Sequence, residues 1–101
     1  MKLVYISGAY RAPTLYGVVR NIRRAERTAL KYWKKGYAVI CPHKNTALMD
    51  GGCCDKVWLD GDLEMVRRCD MIVMMRNWRK SEGARNEHAL AKRLGIRIVY
   101  E

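Results

Sequence analysis

Residues 70–100 read "DMIVMMRNWRKSEGARNEHALAKRLGIRIVY". Residues 70–75 are apolar at every position after Asp70, and 96–100 is short and rich in β-branched residues. Both predict strands. Between them, Ala84, Leu90, Ala91 and Leu94 recur at helical spacing over 83–94, and Gly95 supplies a stop. Strand, loop, helix, strand is a βαβ unit, which makes its two strands parallel with a right-handed crossover. A strand apolar on both faces sits inside a parallel sheet, covered by helices on each side.

The rest of the chain repeats the alternation. Residues 2–7, "KLVYIS", predict a first strand, and 8–14, "GAYRAPT", a loop. Leu15, Val18, Val19, Ile22, Ala25, Ala29 and Trp33 recur at helical spacing up to Lys35, with Gly36 as a stop. Residues 37–42, "YAVICP", form a second strand ended by Pro42. A polar loop of unusual length covers 43–56, and a helix follows over 57–68. The order β-α-β-loop-α-β-α-β predicts one domain over 1–101. It is a three-layer α/β sandwich, Rossmann-like or flavodoxin-like, with four parallel strands in the order 2-1-3-4. Ligands of such sheets bind beyond the carboxyl ends of the strands, where the strand order reverses. Here that is between loop 8–14 and loop 76–83, with the long loop beside them.

Half of the 101 residues are apolar, enough for a core, and no run of about 18 apolar residues occurs. The apolar run in "MKLVYISG" is too short for a signal peptide. A cytoplasmic location is the expectation. The spacing of Cys41, His43, Cys53 and Cys54 matches no common zinc pattern, and a Cys53–Cys54 disulfide would be strained. Free thiols, no metal and no cofactor are expected. The formal net charge of +10 favours an anionic partner, nucleic acid, a nucleotide or acidic lipid, without choosing among them.

Two carboxylates break the pattern. Glu87 lies three residues after Ala84, three before Leu90 and four before Ala91, on the face that should be buried. Asp62 lies four after Trp58 and four before Val66, on the apolar side of its own helix. Asp60 and Glu64 fit solvent, and Glu82 fits a first-turn acid stabilised by the helix dipole. A single acid on an apolar face is commonly a satisfied core residue. Two acids that reach one cleft are the equipment of glycosyl cleavage, one attacking or activating water and the other managing the leaving-group proton. After the first strand, Ser7, Gly8 and Arg11 are candidate ligand contacts, Gly8 letting backbone come close to a ligand and Arg11 gripping an anion, and Ser81 and Gly83 open a helix whose N-terminus suits an anion. His43, Asn45 and Thr46 either read a base or sugar or brace the long loop. Tyr5 is either core or aimed at the acids. Trp58 reads as core, and Trp78 as a base-stacking or interface residue.

Tyr5-x-x-Gly8, "DLEMVRRCDMIVMM" and "SEGARNE" together resemble the nucleoside 2-deoxyribosyltransferase superfamily, nearest the 2'-deoxynucleoside 5'-monophosphate N-glycosidases. The resemblance covers nearly the whole chain. It implies Glu87 as nucleophile on the anomeric carbon, Asp62 as the group orienting or protonating the departing base, and Tyr5 as the holder of the nucleophile. It implies Arg11, Ser81 and Gly83 as contacts of a 5'-phosphate, and a homodimer or larger homo-oligomer whose neighbouring subunit borders the site. Tyr16, Trp33 and Trp78 are candidates for apolar surface left uncovered. Alternative activities are base exchange through the same covalent intermediate and non-catalytic nucleotide or nucleic-acid binding.

Overall fold

The computed structural model describes all 101 residues. Strand β1 (Leu3–Ser7) leads to helix α1 (Leu15–Lys34), β2 (Ala38–Ile40), a one-turn α2 (Pro42–Asn45) and α3 (Asp55–Arg67). Strand β3 (Met71–Met74), a 3-10 turn (Trp78–Lys80), α4 (Glu82–Leu94) and β4 (Arg97–Tyr100) complete the chain. The four strands form one parallel sheet in the order β2-β1-β3-β4, as the sequence predicts.

The period of two along each strand sorts the core into two layers. Val4 and Ile6 of β1 and Met71 and Val73 of β3 face α1, against Ala25, Ala29 and Tyr32. Tyr5 of β1 and Ile72 and Met74 of β3 face the other way, against Val66 of α3 and Ala84, Leu90 and Ala91 of α4. β1 and β3 are therefore buried on both faces, and the strand order reverses between them. The α4 caps follow the sequence signals. Ser81 accepts from the Ala84 N–H, and Gly95 is left-handed at φ 72°.

Four details differ from the sequence reading. The long loop begins with α2, where Pro42 occupies the first helical position that suits its missing N–H. Helix α3 starts at Asp55, two residues early, with that acid in the first turn. The inward face of α1 centres on Ala25, so Tyr32, seven residues on, is buried, while Trp33, eight residues on, is rotated off it. Leu15 and Trp33 are accordingly exposed, and Leu94 at the end of α4 is half-exposed. Trp58 is not core: it is part-buried and lines the cleft described next. No helix is long and apolar enough to cross a membrane.

Candidate active site

A cleft of about 710 Å³ opens beyond the carboxyl ends of β1 and β3. The loop after β1, α2 and the loop behind it, α3, and the start of α4 line it. Glu87 and Asp62 both border it, and Glu87 is only 7 % exposed.

The strand period explains how Glu87 is held. Tyr5 and Ser7 are two residues apart on β1, so both point toward α4. The Tyr5 hydroxyl donates to Glu87 Oε2 at 2.6 Å, and the Ser7 hydroxyl donates to Oε1 at 2.6 Å. Neither residue lines the cleft itself. Burial, with the Glu87 charge beside it, raises the Tyr5 phenol well above its usual range, so it stays a donor. Ser7, expected to contact ligand, instead orients the carboxylate behind it.

Burial pushes the Glu87 carboxyl up to about 7, opposed by the two hydroxyl donors and assisted by the negative charge of Asp62. Burial alone lifts Asp62 to about 6. Two carboxyls of one cleft thus hold their protons into the neutral range, where acid–base chemistry is served best.

The other expected residues divide. Gly8, Arg11, His43, Ser81 and Gly83 all line the cleft. Asn45 does not: it is exposed on α2, and its neighbour Thr46 reaches the lining instead. The Arg11 guanidinium reaches Asp55 Oδ2 at 2.7 Å as an exposed ion pair. Ser81 caps α4, whose first-turn amides have no partner inside the helix, and Lys80 lies beside them in the lining.

Gly8 is required by its own neighbours. A Cβ there would approach Met75 Sδ to 2.6 Å and Met75 Cβ to 2.9 Å. The close backbone approach expected for a ligand is therefore made to β3's exit. Asn77 secures the same spot, its Oδ1 accepting the Ala9 N–H at 3.1 Å. His43 fixes the loop from the other side, with Nε2 3.0 Å from the Ala9 carbonyl. Burial lowers the His43 pKa, and its Nδ1 has no partner, which matches a neutral ring donating from Nε2. His43 is thus a brace for the loop more than a reader of ligand.

Asn77, Asp50 and Lys80 escaped the sequence reading. Asn77 carried no signal, because its partner is a backbone amide remote in sequence. Lys80 stands just before the Ser81 cap, and adjacency to a helix start would have flagged it. Tyr10 joins two loops, its hydroxyl donating to Asp50 Oδ1 at 3.1 Å. Trp78 stacks on His88, ring centroids 4.3 Å apart, outside the cleft. Cys41, Cys53, Cys54 and Cys69 are free, and no three His, Cys, Asp or Glu side chains converge to hold a metal ion.

Residues 2–100 match DUF4406, a domain of unknown function. The chain belongs to the DUF4406 family. No curated protein matches it. The DUF4406 description names no deoxyribosyltransferase, so that likeness rests on the motifs around Tyr5, Asp62 and Glu87 alone.

Proposed function

We propose that this DUF4406 chain hydrolyses the N-glycosidic bond of a 2'-deoxynucleoside 5'-monophosphate with Glu87 as nucleophile. The observation that carries the reading is Glu87 itself. A buried carboxylate costs stability unless it is partnered, and this one is held by two hydroxyls at the wall of the cleft of about 710 Å³. A structural acid would have its oxygens closed off. This one borders open space together with a second acid of raised pKa.

In this chemistry a Glu87 oxygen bonds to the anomeric carbon as the carbon–nitrogen bond breaks. The bonding pair leaves with the base, which takes a proton from Asp62. Water then attacks the resulting sugar ester, giving its proton to Asp62 and freeing Glu87 and the sugar phosphate. The oxocarbenium-like transition states on either side of the ester gain from the adjacent negative charge. The cycle begins from the one-proton form with Glu87 ionised and Asp62 protonated, the minor of the two one-proton forms, since carboxyls raised to about 7 and about 6 leave the proton mostly on Glu87. The start of α4, with Lys80, Ser81 and Gly83, and Arg11 across the mouth supply the phosphate end. The lining also carries five carboxylates, Asp50, Asp55, Asp62, Glu82 and Glu87, so the phosphate would be held at the α4 start and Arg11 and not by the cleft as a whole.

A panel of nucleosides and nucleotides, followed by chromatography for free base, tests the reading. Free base from at least one deoxynucleoside monophosphate is expected. Exchange of labelled base without net hydrolysis would assign base transfer through the same intermediate. No base release or exchange from any member would overturn both.

A further inference from the structure

The cleft does not account for the charge of the chain. Its lining holds two cations, Arg11 and Lys80, against the five carboxylates above, while the chain carries +10. Helix α1 alone has six cations, Arg20, Arg23, Arg24, Arg27, Lys31 and Lys34, and one acid, Glu26. A second depression, of about 590 Å³, lies beside this helix. Arg24, Arg27 and Lys31 border it from one stripe of α1, at spacings of three and four residues. Arg76 borders it from the segment that leaves β3. Thr28 and Glu101 complete this wall, the Thr28 hydroxyl donating to Glu101 Oε2 at 2.7 Å.

None of these four cations is in an ion pair. Of the other sixteen Lys and Arg side chains, six are in ion pairs. Glu26 takes Arg23 and Lys44, Glu64 takes Arg67 and Arg68, Asp60 takes Lys56, and Asp55 takes Arg11. Around this depression a single acid stands against four bases. Like charges at such spacings repel and destabilise the unoccupied fold.

The shape and lining select among anions. One lining residue is apolar, so an apolar ligand body has little to pack against. None is aromatic, so the stacking platform used by single-stranded nucleic acid is missing. The cations approach from two separate elements instead of lying along one flat face. We propose that this depression binds a compact oligophosphate, a chain of two or more phosphoryl groups. The arginines would pair bidentately with phosphoryl oxygens and Lys31 would act as a point charge. The site is separate from the cleft and does not depend on the role given to Glu87.

Calorimetric titration of the full chain with inorganic tripolyphosphate at low salt tests it. Saturable binding is expected, unchanged in Glu87→Gln and weakened about tenfold or more in Arg27→Gln/Arg76→Gln. Circular dichroism checks that the double variant is folded, which exposed positions permit. Arg23→Gln, on the same helix but outside the depression, retains the affinity. A nucleoside triphosphate that binds equally well identifies the phosphate chain alone as the ligand. One that binds better, with the same loss in the double variant, identifies a nucleotide carrying that chain. Absence of binding, or equal losses in Arg23→Gln and the double variant, overturns the proposal. So does a short DNA duplex that binds more tightly than tripolyphosphate and weakens in the same double variant, because the site would then be a backbone surface.

Discussion

At the scale of single residues, Glu87 and Asp62 set the behaviour of the protein with pH. With carboxyls raised to about 7 and about 6, the pair carries one proton over a narrow interval. The kcat/KM profile for base release is expected to be a bell centred near about pH 6.5. Asp62→Asn removes the group whose deprotonation makes the alkaline limb. The remaining acid limb then reports Glu87 alone, raised by burial and no longer by the Asp62 charge. A persistent alkaline limb in Asp62→Asn would separate Asp62 from the leaving-group proton. The same raised pKa fixes a stability effect. The folded chain holds the Glu87 proton more tightly than the unfolded chain does. That contribution is fully present below about pH 4.5, the ordinary carboxyl value, and is lost as pH rises through about 7. An amide at this position never charges. Glu87→Gln is therefore expected to stabilise the fold by about 1–3 kcal/mol at pH 8 and by little at pH 4. Thermal melts at the two pH values measure the difference, and equal melting shifts at both would contradict it.

At the scale of elements, the cleft lining carries a weak contact that a ligand can replace. The Arg11–Asp55 pair is exposed on both sides and contributes roughly 0–1 kcal/mol, so exchanging Asp55 for a phosphate is inexpensive. Arg11→Ala is expected to raise KM for a nucleotide about ten- to a hundredfold, and that for the nucleoside far less, from loss of a charge-assisted contact. Initial-rate kinetics on the matched pair of substrates checks this, and equal effects would place Arg11 away from the phosphate. The element boundaries were legible from the sequence because periodicity and stop signals agreed. Gly95, the Ser81 cap and the apolar run 71–75 each point the same way as the packing. Both acids were legible as departures from an apolar face. The hold on Glu87 was legible only in part. Tyr5 and Ser7 are two apart on a strand, but which face meets α4 is decided by tertiary packing. The Asn77–Ala9 bond, the Tyr10–Asp50 link and α2 inside the long loop depend on contacts across tens of residues, which no local pattern records.

At the scale of the whole molecule, the sheet order divides the chain into two differently used sides. The α3 and α4 layer carries both acids, while α1 carries much of the positive charge and an apolar flank. Leu15, Val19, Leu30 and Trp33 lie on that flank and are each at least 39 % exposed. Such a flank on so small a domain favours self-association, and a homodimer is expected. Light scattering at micromolar concentration should give twice the 11.8 kDa chain mass, and Trp33→Glu should return the chain to that mass. A wild-type chain that is monomeric under these conditions would contradict the expectation. One comparison tests the role of Glu87 most directly: the rate of base release from a deoxynucleoside monophosphate by wild-type protein and by Glu87→Gln. The amide keeps the shape of the side chain but cannot form the sugar ester, so turnover is expected to fall by about three orders of magnitude or more in a fully folded variant. A folded Glu87→Gln protein that releases base at close to the wild-type rate would show that the buried carboxylate is structural, and would contradict the proposed mechanism.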